Sequence, residues 1–97
     1  MSKQLIIFTL EGCGHCKELK NRVSEESIPF TEIEVSRNKE LWNKIVDQTK
    51  NEYLPSFFIK TEGTDSGPIF CPERDFKGTE EAVEIIKNHI KTEKEGN

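Results

Sequence analysis

Leu5, Ile6, Ile7 and Phe8 follow one another without a polar break, the pattern of a short strand buried on both faces, and they predict β structure over residues 5–9. Gly12 then marks a sharp turn. Beyond it the spacing changes to Cys16, Leu19 and Val23, one stripe of a short helix whose other faces carry Lys17, Lys20 and Arg22. A turn over residues 27–29 leads to Phe30, Ile33 and Val35, a second strand. Strand, helix and strand within about thirty residues form a βαβ unit, so these two strands should run parallel with a right-handed crossover. Leu41, Trp42, Ile45 and Val46 recur at helical spacing behind Ser36 and Asn38, either of which suits a helix cap, and Trp42 reads as core. Residues 51–55 break that pattern, Phe57 to Ile59 form a compact strand, and a polar loop over 61–67 lets Ile69 to Cys71 return as an antiparallel neighbour. After an irregular charged stretch over 72–77, Gly78 precedes a last helix. Thr79 is its expected cap, Glu80 and Glu81 lie at its positive end, and Val83, Ile86 and Ile90 form its buried stripe. The polar residues 91–97 are expected to fray.

Ninety-seven residues are enough for one domain with a modest core, so residues 1–97 read as a single unit ending in that tail. A third of them are charged, which suits a small sheet covered by helices with solvated outer faces. The net charge of −4, without a run of basic residues, argues against nucleic acid or an anionic membrane as the main partner. No stretch has the apolar length of a membrane span, and the N-terminus lacks the pattern of a signal peptide. Three cysteines, only two of them close together, do not make a secreted disulfide framework. The expectation is therefore a monomer in the reducing cytoplasm.

The candidate chemistry lies in Cys13-Gly14-His15-Cys16, placed where the first strand gives way to the first helix. Two intervening residues allow one helical turn to bring the sulfurs within bonding distance, and the unpaired N–H groups of a helix start favour a thiolate at the first of them. Cys13 is the expected nucleophile and Cys16 the resolving thiol. His15, adjacent to both, would favour the thiolate when protonated. Lys17 would act in the same direction and Glu11 against it. Haem attachment would need a His directly after the second cysteine, where Lys17 stands. A structural zinc site would have to recruit Cys71 and His89, which stand singly and far downstream. No metal is expected at the motif, and Cys71 reads as a small buried hydrophobe.

The order β-α-β-α-β-β-α with CxxC at the first strand-to-helix junction resembles the thioredoxin fold, an α/β architecture with a four-stranded mixed sheet flanked by helices. Within it the sequence is most similar to the glutaredoxins. Ile28-Pro29-Phe30-Thr31-Glu32-Ile33-Glu34-Val35 resembles the second strand of that family, Leu54-Pro55 before an apolar strand resembles its cis-proline segment, and Gly78 stands where its Gly-Gly turn precedes the last helix. Lys77 replaces the first of those glycines, and Gly-His replaces the usual Pro-Tyr between the cysteines. The resemblance implies a substrate site around Gly14, Leu54, Pro55, Gly78 and Thr79. It also implies a thiol–disulfide oxidoreductase that reduces protein disulfides or glutathione mixed disulfides. Such an enzyme binds no resident cofactor, takes glutathione as a co-substrate and is recycled by glutathione or by a thioredoxin-reductase-type reductant. Two alternatives from other classes stay open: a glutathione-dependent [2Fe-2S] carrier and a zinc-stabilised binding module.

Overall fold

The computed structural model describes residues 3–61, 63, 64 and 67–95, the last five by their backbone alone. Its strands are β1 (Lys3–Thr9), β2 (Phe30–Glu34), β3 (Ser56–Thr61) and β4 (Ile69–Phe70), and its helices α1 (Gly14–Glu25), α2 (Lys39–Thr49) and α3 (Thr79–Glu95). They form one sheet in the order β2-β1-β3-β4, with β1 parallel to β2 and antiparallel to β3, and β4 antiparallel to β3. This is the thioredoxin-like α/β arrangement expected from the element order.

The uninterrupted apolar run of β1 is used on both sides, as its central place in the sheet requires. Leu5 and Ile7 stand opposite Ile59 and Phe57 on one face, where Leu19 and Val23 of α1 and Val83 and Ile86 of α3 cover them. Phe8 points to the other face, packs with Val35 and Ile45 and has its ring 5.7 Å from that of Trp42. The two helices on the first face are also tied through their polar edges. Arg22 grips Glu80 with two hydrogen bonds of 2.7 and 2.8 Å, and the Thr79 hydroxyl donates to Glu18. These groups are largely solvated, so they fix orientation more than they add stability.

Several boundaries differ from the expected ones for identifiable reasons. Val35 does not extend β2 but opens a 3-10 turn (Val35–Arg37) and keeps its side chain in the core. Asn38 is the N-cap residue of α2, its carbonyl accepting the Trp42 N–H at 2.9 Å, yet its amide donates back to the Glu34 carbonyl at 2.9 Å and Ser36 donates to the Glu34 carboxylate, so neither side chain caps the helix. Gly78, not Thr79, accepts the first α3 bond, from the Ala82 N–H at 3.1 Å, which places Thr79 inside the helix. β4 stops before Cys71, because the Cys71 N–H is taken by the Asp75 carboxylate at 2.9 Å. The final helix runs on to Glu95 through part of the expected tail, whose Lys and Glu residues are good helix formers. Residues 96 and 97 lie outside the described part, as do 62, 65 and 66 of the polar loop. Among the described residues, no helix is long and apolar enough to cross a membrane.

Candidate active site

The end of β1 delivers the chain to the CxxC motif through a tight turn. Cys13 donates its N–H to the Leu10 carbonyl at 3.0 Å, and Gly12 sits at a φ of +86°, a conformation that side chains resist. A second anchor comes from β2, where the Glu34 carboxylate accepts the Glu11 N–H at 2.9 Å. Ser36 and the N–H groups of Glu11, Arg37 and Ser36 all donate to this carboxylate and hold its pKa below the usual range. Its neighbour Glu32 is likewise held low by the Lys20 ammonium and the buried Thr9 hydroxyl, which reach the same oxygen at 2.9 and 2.7 Å.

Cys13 caps α1. Its backbone is extended, and its Sγ accepts the Cys16 N–H at 3.2 Å. The two cysteines form a disulfide with their Cα atoms 5.3 Å apart, well inside the range such a bond spans. Their exposure is unequal: Cys13 is half-buried, whereas Cys16 is only 1% exposed. Gly14 and His15 project outward between them.

Two grooves flank the motif. One, of about 330 Å³, runs from His15 and Leu19 past Tyr53, Leu54 and Pro55 to Pro72, Glu73, Phe76, Lys77 and Thr79. The Leu54-Pro55 bond in its floor is cis, as the family resemblance implies. The other, of about 800 Å³, contains Cys13, Gly14 and Cys16 together with Leu10, Glu11, Lys17, Lys20, Glu32, Glu34 and Arg37. The expected site residues thus divide between the two. Gly78 lines neither groove, and a side chain there would meet open space.

A glutaredoxin family model matches residues 5–63, from β1 through the cis-proline and β3. The chain belongs to the glutaredoxin family. Its glutaredoxin segment therefore carries the CxxC motif and the cis-proline, while α3 lies beyond the match. A shorter stretch of 37 residues is 35% identical to the N-acetyl-S-hydroxy-L-cysteine reductase of Bacillus subtilis, and covers 38% of this chain and 40% of that relative. Among solved structures, a buckwheat glutaredoxin–glutathione complex aligns with a TM-score of 0.58 at 17% identity, over 90% of this chain and 71% of that one. The oxidised mitochondrial thioredoxin 3 of Saccharomyces cerevisiae aligns with the same score at 18% identity, over 94% and 78%. At such identities these two alignments establish the shared thioredoxin-like fold alone.

The groove wall made by residues 72–77 was not foreseen from the sequence. Asn51 holds it in place, donating its amide to the Pro72 carbonyl at 2.8 Å and accepting the Tyr53 N–H at 2.8 Å, so one side chain joins both walls. Phe76 anchors the wall from inside by stacking on Phe57. Cys71 is buried, and burial pushes its thiol pKa up. His89 places Nδ1 2.9 Å from the Ile85 carbonyl and sets its ring edge-on to Phe70. Among the described residues, no group of three or more His, Cys, Asp and Glu side chains gathers as a metal site.

Proposed function

We propose that this protein is a thiol–disulfide oxidoreductase that reduces protein disulfides and glutathione mixed disulfides, working in a reducing compartment such as the cytoplasm. The observation that carries the reading is the unequal pair at the start of α1: an accessible sulfur that caps the helix, bonded to a buried one. In the reduced protein the α1 dipole and the Cys16 N–H favour a thiolate at Cys13, the form that attacks. That thiolate displaces one sulfur of the substrate disulfide, forming a mixed disulfide and releasing a thiolate that takes up a proton. Cys16 then gives up its proton and attacks the Cys13 sulfur, which releases the second substrate thiol and leaves Cys13–Cys16 oxidised. Two electrons and two protons pass to the substrate, and two thiols of glutathione, or the dithiol of a thioredoxin-reductase-type enzyme, restore the starting state.

Support for glutathione comes from the family and from the groove beside His15. Lys77 and the first turn of α3 lie there, groups suited to a peptide carboxylate, and the buckwheat neighbour was solved with glutathione. Leu54-Pro55 adds a backbone edge with which an extended substrate can pair. The same attack by Cys13 reduces a sulfenic acid by displacing hydroxide, a substrate type suggested by the name of the Bacillus subtilis relative.

The test is turnover of a small synthetic disulfide, followed by NADPH consumption in two coupled systems: glutathione with glutathione reductase, and thioredoxin reductase alone. The wild type should turn over in at least one and Cys13→Ser in neither. Turnover in neither system by the wild type, or full activity in Cys13→Ser, would overturn the reading.

A further inference from the structure

The two faces of the sheet are covered unequally. Against one face α1 and α3 close a continuous core, whereas the other carries only the 3-10 turn and α2, and of its apolar cluster only Phe8, Val35 and Ile45 are buried among the described residues. Ile6, Ile33, Phe58 and Ile69 of the sheet are left partly open on that side, and Leu41 of α2 is 41% exposed. Between them runs a third groove, of about 550 Å³, which shares no lining residue with the cis-proline groove or with the polar groove that holds Cys13. Its size falls within the range of about 300 to 1,000 Å³ usual for small-molecule sites, whose walls are likewise mostly apolar with a few polar groups.

The charged groups of this groove are of one sign. Lys44 of α2 and Lys60 of β3 line it beside Gln48, and among the described residues no carboxylate does. Lys44 belongs to the α2 stripe of Leu41, Ile45 and Gln48, so its alkyl stem borders the apolar wall while its ammonium can reach the mouth. Glu40, one turn before it on α2, neither lines the groove nor pairs with Lys44, and Asp47 pairs with Lys50 at 3.5 Å. The complement of apolar walls with a cationic rim is a molecule with an apolar body and one anionic end. A second copy of this chain fits poorly, since it would set Lys44 of each copy against a groove lined by the same cations.

We propose that this groove binds a free fatty acid, its alkyl chain lying against Ile6, Ile33, Phe58 and Ile69 and its carboxylate beside Lys44. The site stands apart from both cysteines of the motif, so the proposal does not depend on the oxidoreductase reading above.

The test is calorimetric titration of the protein at neutral pH and low salt with octanoate, decanoate and dodecanoate, each kept below its micelle-forming concentration, and with decanol and decylammonium as the neutral and cationic counterparts. Binding should saturate at one molecule per chain and tighten from octanoate to dodecanoate, by about fourfold for each methylene that the groove takes in. Decanoate should bind about threefold more tightly than decylammonium, with decanol between them, as expected for a single solvated ion pair. Lys44→Glu should remove that preference. Leu41→Asp, also at an exposed position, should weaken decanoate. In the NMR spectrum of the wild type, decanoate should move the amide signals of Ile6, Ile33, Phe58 and Ile69 and leave those of Gly14 and Cys16 in place. Binding that does not saturate, a preference for decanoate that survives in Lys44→Glu, or shifts gathered instead around Tyr53 and Lys77 would overturn the proposal. So would a dimer of the wild type in solution that Leu41→Asp dissociates, because a second copy would then occupy this face.

Discussion

Replacing Phe76 with alanine should both destabilise the fold and damage one groove while leaving Cys13 chemically intact. Phe76 is 6% exposed, its ring centroid lies 5.4 Å from that of Phe57, and Phe57 stacks in turn on Phe70 at 5.2 Å. Truncating a buried phenylalanine to alanine costs about 3 to 5 kcal/mol, of which an aromatic pair accounts for about 1 kcal/mol. Phe76 stands at the wall of an open groove, so water can enter the space it leaves, and the lower end, about 3 kcal/mol, is expected. For a domain of this size each kcal/mol moves Tm by about 4 to 8 °C, giving a fall of roughly 12 to 24 °C. A fold with about 5 to 15 kcal/mol of stability survives that loss at room temperature. Phe76→Leu keeps most of the volume and should cost about 1 to 1.5 kcal/mol. The wall is also held through the backbone, with the Glu73 N–H bonded to the Phe76 carbonyl at 2.8 Å. Loosening it should raise KM for glutathione-linked substrates, while the alkylation rate of Cys13, fixed by the start of α1, should not change. Urea denaturation of the reduced proteins measures the first effect and steady-state kinetics the second. A loss below about 1 kcal/mol for the alanine variant, or equal losses for alanine and leucine, would refute the packing argument.

Two further expectations concern charge. Because the folded-state pKa of Glu34 is lowered, its stabilising contribution is complete above its ordinary value of 4.5 and is lost as pH falls through the folded value. Glu34→Gln should therefore be less stable than the wild type at pH 7, with the gap closing in acid; an unchanged gap across that window in urea melts would contradict the anchoring role given to this carboxylate. His15 is exposed beside both sulfurs, and a positive charge there favours the reduced form. His15→Phe should lower the reduction potential by at most about 30 mV, solvent screening trimming it further, as read by equilibration with a glutathione redox buffer. Identical potentials would make His15 a bystander.

What the sequence disclosed and what it withheld divide by range along the chain. The uninterrupted run Leu5–Phe8, the switch to helical spacing at Cys16 and the two cysteines two residues apart are local patterns, and each fixes local geometry directly: a central strand, a helix start, a disulfide. Trp42 and Cys71 read correctly as buried or part-buried packing because apolar side chains in such patterns have few other places to go. Caps were less legible, since Asn38, Ser36 and Thr79 all have a second partner, Glu34 or Glu18, that competes for the side chain. The groove wall over 72–77 was invisible. Its position depends on Asn51 reaching Pro72 across 21 residues and on Phe76 meeting Phe57, contacts that no short window of sequence contains. The polar groove was hidden for the same reason: Glu32, Glu34 and Arg37 come beside the motif only once β2 has paired with β1.

The central claim is that Cys13 attacks and Cys16 resolves, and the most direct measurement is to trap the intermediate. Cys16→Ser, reduced and then exposed to glutathione disulfide, is digested and mapped by mass spectrometry. The account predicts one glutathione on Cys13 and none on the buried Cys71, with no such adduct accumulating on the wild type, where Cys16 removes it. An adduct on Cys71 in place of Cys13, or equal adduct on the wild type and the variant, would contradict it.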